Sequence, residues 1–127
     1  MAELNFDPKA PIIVLQVELK GRIIETARLA LDTGSTHLLI PWRIARALDV
    51  HPESPFQRIE TITPNGAEFV PVVLLSSVKV MGKEATNVTA IVHDLPPKSY
   101  VDGLLGLSFL NKFKVTLDFK KGVISID

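Results

Sequence analysis

Cysteine is absent from this 127-residue chain, which excludes disulfides, thiol catalysis and thiolate metal sites. Net charge is absent too. Fourteen basic side chains balance 14 acidic ones, leaving no electrostatic footprint for nucleic acid or an anionic membrane. No apolar run approaches the roughly 20 residues of a membrane span, and the N-terminal Met1-Ala2-Glu3-Leu4-Asn5-Phe6-Asp7-Pro8 lacks the basic-then-apolar pattern of a signal peptide. The expectation is a cytoplasmic protein without nucleic-acid or membrane partners. Its three histidines, His37, His51 and His93, stand in no ligand spacing such as His-Glu-x-x-His. No metal or other cofactor is expected. Phosphate-binding loops are missing, and so is the G-x-S-x-G elbow of a serine hydrolase.

What is present suits one globular domain. The length allows a single core, and hydrophobic residues make up 46% of the chain. Residues 1–10, punctuated by Pro8, read as a tail. From Ile12 to Leu19 the side chains alternate, with Gln16 and Glu18 opposite Ile13, Leu15, Val17 and Leu19, the pattern of a half-buried strand. Lys20-Gly21 turns the chain into a second strand ending at Asp32. Leu38-Leu39-Ile40 is a short strand, and Pro41 stands where a helix of about two turns begins. Phe56 to Thr63 and Glu68 to Leu75 form a hairpin through Pro64-Asn65-Gly66-Ala67. Further hairpins turn at Met81-Gly82-Lys83 and Lys120-Lys121-Gly122, the last strand being Val123 to Ile126. Many short strands with little helix describe an all-β, closed, barrel-like domain.

One stretch carries chemistry. After the apolar Leu29-Ala30-Leu31 come Asp32-Thr33-Gly34-Ser35, so a carboxylate is delivered on a tight turn at the end of a buried strand. A buried carboxylate costs several kcal/mol unless it is hydrogen-bonded or paired, and nothing cationic lies within the stretch. The simplest functional reading is a carboxylate tuned for acid/base work.

The run LALDTGSTHLLIP resembles the active-site segment of aspartic proteases, and DGLLGLSFL resembles the hydrophobic-hydrophobic-Gly element and short helix that back the active-site loop in retroviral-type (retropepsin-like) members. The order of elements from about Ile12 to Ile126 is similar as well. The resemblance implies an acid-protease fold with one short helix after the active-site strand and one near the C-terminus. It makes Asp32 the catalytic aspartate, Thr33 part of a hydrogen-bonded grip between two active-site loops, and Gly34 the residue that allows the turn. Ser35 would donate a hydrogen bond to the Asp32 carboxylate. Leu104, Leu105 and Gly106 would be structural backing. His37 is a departure, standing where retroviral enzymes commonly have an acidic residue that holds substrate backbone.

Aspartic proteolysis uses two carboxylates, and the chain has one Asp-Thr-Gly. Asp7, Asp49, Asp94, Asp102, Asp118 and Asp127 lack a following Thr-Gly or Ser-Gly. The resemblance therefore implies a homodimer in which Asp32 meets its symmetry mate, with Val123 to Ile126 pairing with termini of the partner. The hairpin near 59–73 would be a flap with its tip at Pro64, Asn65 and Gly66, closing over a peptide or protein substrate. The competing expectation is a non-catalytic peptide-binding or scaffolding dimer that keeps the fold.

Overall fold

The computed structural model describes residues 2–55, 57–63 and 65–127. The strands in chain order are β1 (Ala2–Asn5), β2 (Val14–Lys20), β3 (Ile24–Leu31) and β4 (Leu38–Ile40), followed by helix α1 (Trp42–Ala47). Then come β5 (Gln57–Thr63), β6 (Gly66–Val80), β7 (Lys83–Val92), β8 (Gly103–Leu105), helix α2 (Leu107–Leu110), β9 (Val115–Asp118) and β10 (Val123–Ile126).

Alternation in β2 has the expected effect: Leu15, Val17 and Leu19 are fully buried while Gln16 and Lys20 face water. β2 pairs antiparallel with β3, Val17 opposite Ala27. β3 runs parallel to β8, β8 meets β4 at the Leu39–Leu104 pair, and β4 runs parallel to β7. β6 pairs antiparallel with β7 and, through Ser77 to Val80, with β2. That last pairing closes six strands into a barrel, with β5 attached outside the ring through β6. A closed ring leaves few open edges, and its interior holds Leu29, Leu38, Ile40, Leu75, Val88, Leu105 and Phe109.

β6 departs from the expected division into separate strands. It is continuous over 15 residues, so one strand serves both the β5–β6 hairpin and the barrel wall. The β5–β6 hairpin thus projects from a strand anchored at its other end. The segment read as a tail also contains a strand, since β1 pairs antiparallel with β10, Leu4 opposite Ile124. β10 pairs on its other side with β9. Both edges of β10 are therefore occupied within the chain, and pairing of this strand with a partner's termini does not apply to this arrangement.

The two helices lie where the resemblance puts them. α1 follows Pro41, whose extended backbone (φ −74°, ψ 160°) forms its N-cap. Because Pro41 has no capping side chain, the Trp42 N–H is met from a distance by Asp94 Oδ1 at 3.0 Å. Ile44 and Ala45 bury the inner face. No helix among the described residues is long and apolar enough to cross a membrane.

Candidate active site

Asp32 stands immediately after β3, at the mouth of the barrel. Its backbone N–H donates to Leu105 O at 3.0 Å, which fixes the end of β3 to β8. The chain then turns at once: Ser35 N–H donates to Asp32 O at 3.2 Å, and Gly34 N–H donates to Asp32 Oδ1 at 2.9 Å. One carboxylate oxygen is thus held in place by a backbone donor. Asp32 is half-buried rather than interior, and among the described residues no polar or charged residue is fully buried. Its other oxygen makes no hydrogen bond to the described residues.

Ser35 does not act as expected. Its hydroxyl donates to His37 O at 2.7 Å, not to the Asp32 carboxylate. The turn places the Gly34 N–H at the carboxylate, and Ser35 braces the outgoing limb of the loop instead. Thr33 is exposed, and its side chain makes no hydrogen bond to the described residues. It lines a cavity with Phe6, Ile12, Leu117 and Phe119 beside the catalytic candidate.

The backing element works through close approach of backbones. A Cβ on Gly106 would stand 2.1 Å from His37 O and 2.5 Å from Ser35 O, and one on Gly103 would stand 1.8 Å from Leu39 O. Only glycine lets β8 and the start of α2 lie this near the active-site loop. Leu107 N–H then donates to Ser35 O at 2.8 Å and Ser108 N–H to Thr36 O at 2.9 Å. Leu105 is buried and Leu104 half-buried beside it, so Leu104, Leu105 and Gly106 support the loop from behind.

Ser108 is a support the motif reading did not single out. Its hydroxyl accepts from Leu38 N–H at 3.2 Å and donates to Thr89 O at 2.8 Å, joining the loop, α2 and β7. Its place in LLGLSFL is the only local signal. Asp102, next to Gly103, is a second such support: its carboxylate accepts from Arg28 N–H and from the Arg43 guanidinium, tying β3 and α1 to the start of β8.

The loop opens on a cleft under the β5–β6 hairpin. A cavity of about 320 Å³ lies between Gly34–His37 and Ile59–Thr61, with Ile91 behind. A second, about 440 Å³, shares Thr61 and Ile91 with it and is lined mainly by Leu39, Ile62, Leu95 and Pro96. Asn65 lines this second cavity, and Gly66, the first residue of β6, has φ +105°. The third tip residue expected from the sequence, Pro64, lies outside the described residues. Glu68 of the hairpin approaches His93 Nδ1 at 4.0 Å. A larger cavity of about 530 Å³, between α1 and residues 94–102, does not include the Asp32 loop.

Histidine 37 forms one wall of the first cavity. Its Nδ1 lies 2.6 Å from Thr89 Oγ1, and burial lowers its pKa below the ordinary imidazole value. No group of three or more potential metal ligands gathers among the described residues.

This arrangement matches known proteins at two levels. A comparison with curated proteins finds no match. The family described as Aspartyl protease matches residues 15–109, which takes in both the Asp32 loop and the Gly103–Phe109 backing. Among solved structures, a retropepsin-like aspartic protease from Rickettsia conorii superposes with a TM-score of 0.72. The two are 21% identical, over 98% of each chain. The chain belongs to the aspartyl protease family and has the retropepsin-like fold.

Proposed function

We propose that the protein is an aspartic endopeptidase whose active form is a homodimer, with Asp32 of each subunit meeting across a two-fold axis. The observation that carries this reading is the Asp32 carboxylate itself: one oxygen fixed by Gly34 N–H, the other without a partner among the described residues, on a loop braced from behind and open to a cleft. The chain supplies a single Asp-Thr-Gly, so its own symmetry mate is the natural second carboxylate. In the dimer one carboxylate takes a proton from water as it attacks the amide carbonyl, and the other protonates that oxygen. Two such groups a few ångströms apart do not ionise together, which leaves one acid and one base.

In this reading Thr33, exposed next to Asp32, meets its counterpart in the grip between loops. Gly34 and Ser35 hold the loop, while Leu104, Leu105 and Gly106 carry it. The β5–β6 hairpin, with Asn65 and Gly66 at the described part of its tip, closes over an extended peptide and excludes water.

The test is cleavage of an unfolded protein at mildly acid and neutral pH, with a statine-type inhibitor as a probe. Asp32→Asn should keep the circular dichroism of the native chain and lose cleavage by a factor of at least about 10³. Cleavage retained in Asp32→Asn would overturn the mechanism. Peptide binding by the native protein with no turnover at any pH would instead favour a non-catalytic peptide-binding dimer.

A further inference from the structure

The mechanism above employs Asp32 and leaves His37 unused, yet His37 is the most firmly placed polar side chain of the cleft wall. Its own carbonyl accepts the Ser35 hydroxyl at 2.7 Å, and the next residue donates its N–H to Ser108 Oγ. Behind it, Gly106 leaves no room for the backbone to retreat. The ring is anchored at Nδ1 by Thr89 Oγ1, whereas Nε2 has no hydrogen-bond partner among the described residues. A half-buried imidazole with one nitrogen satisfied and the other left over, beside a cavity, is pre-organised to bond something that enters the cavity.

Thr89 makes this wall adaptable. Its hydroxyl both donates and accepts, so it can donate to Nδ1 and leave Nε2–H facing outward, or accept from Nδ1–H and leave an Nε2 lone pair. When the ring is protonated Thr89 still accepts, and Nε2–H becomes a charged donor. The neighbouring groups bear on which state matters. Asp32 belongs to the same loop, and Glu60 of β5 is the charged side chain lining the cavity from the hairpin. Ile91 and Thr89 from β7 and Ser108 from α2 are neutral. Glu60 is exposed to water and therefore screened, whereas His37 is half-buried.

We propose that His37 is a specificity-determining residue of this cavity, selecting a substrate side chain that ends in a planar carboxamide or carboxylate, as in Gln or Glu. The assignment rests on the peptidase reading for the presence of a peptide in the cleft. It adds the chemistry of one subsite and a pH dependence. Above the pKa of His37 the neutral ring bonds Gln and Glu alike. Below it the imidazolium bonds a carboxylate more strongly than a carboxamide. Because burial holds that pKa below the ordinary imidazole value, the change falls to the acid side of a free histidine's titration.

The test uses the native protein and reduced-bond peptides, which bind without being cleaved, in pairs that differ only by Glu or Gln at one scanned position. At one position the ratio of affinities, Glu over Gln, should rise by up to about tenfold as the pH is lowered stepwise from about 7.5 through the titration of His37. His37→Asn should flatten that rise while preserving the fold by circular dichroism. Thr89→Val, which keeps the imidazole but removes its anchor, should reduce it. A ratio that does not move with pH at any position, or that moves equally in His37→Asn, overturns the assignment. So does a preference for Lys or Arg abolished by Glu60→Gln. If Asp32→Asn retains cleavage while the affinity ratio still follows His37, the catalytic reading fails and the subsite stands.

Discussion

At the scale of single residues, the active-site loop is held less by hydrogen-bonding side chains than by the absence of two side chains. Gly106 lets β8 and α2 press against the carbonyls of Ser35 and His37, and those contacts are between backbones, which have nowhere to move. Gly106→Ala should therefore destabilise the protein by about 3 kcal/mol, read as a lowered denaturant midpoint, and should lower cleavage by displacing the Asp32 loop. A midpoint unchanged within error would show that the approach is looser than described. This dependence was legible in the sequence, because a Leu-Leu-Gly beside an Asp-Thr-Gly loop resembles a known pairing. The role of Ser35 was not. A serine three residues after the aspartate reads as a donor to the carboxylate, but the turn gives that place to the Gly34 N–H and leaves Ser35 Oγ nearer His37 O. Thr89 and Ser108 were equally illegible, since their bonds to His37 and Leu38 exist only after β7 and α2 have been brought to the loop from far along the chain.

At the scale of elements, the β5–β6 hairpin is the part whose dynamics the proposed function requires. That a hairpin turns here was readable from the Asn-Gly pair, but its register was not: Thr63 stands opposite Gly66 and Thr61 opposite Glu68, so Gly66 is the first residue of β6. Nor was it readable that β6 runs on without a break to Val80 and there closes the barrel against β2. The poor apolar alternation of the hairpin has its counterpart in exposure: Ile62 is 89% exposed and Phe69 71% exposed. Outside the ring, the hairpin is held to the body by few contacts, among them Glu68 with His93. Such a segment opens at low free energy. Amide exchange over residues 57–63 and 65–70 should slow by at least about tenfold when a statine-type inhibitor binds, while exchange in β2 and β3, inside the closed ring, stays as it was. Protection that rises evenly across the barrel would mean general stabilisation by the ligand, and the hairpin would not be a cover. α1 was readable from Pro41 and the spacing of Ile44, Ala45 and Leu48. Its remote cap on Asp94 was not, because that contact depends on how residues 93–102 fold back over the helix.

For the whole molecule, the proposed homodimer raises the question of where a second copy would dock. The family resemblance pointed to the C-terminal strand, but β10 is enclosed by β1 and β9. The reason lies in Ala2-Glu3-Leu4-Asn5, too short and mixed to announce a strand, whose partner is at the opposite end of the chain. The surface left for a partner adjoins the active-site loop itself. Phe6, Ile12, Leu117 and Phe119 surround a shallow cavity of about 270 Å³ that also includes Thr33, and Phe119 is 60% exposed with its ring against Phe6. Apolar side chains exposed beside the loop that the proposed function pairs with its symmetry mate are suited to an isologous contact. If a second copy packs there, Phe119→Asp should weaken the dimer at least about tenfold, because an aromatic anchor is replaced by a charge in the interface. It should leave the monomer fold nearly intact, since the side chain is largely in water. Sedimentation velocity would show the shift toward monomer. Specific activity of the variant should fall on dilution and recover as concentration rises, with the native protein losing activity only at lower concentration. Activity independent of concentration down to the monomeric range would mean that one Asp32 is sufficient, and the two-fold active site would have to be abandoned.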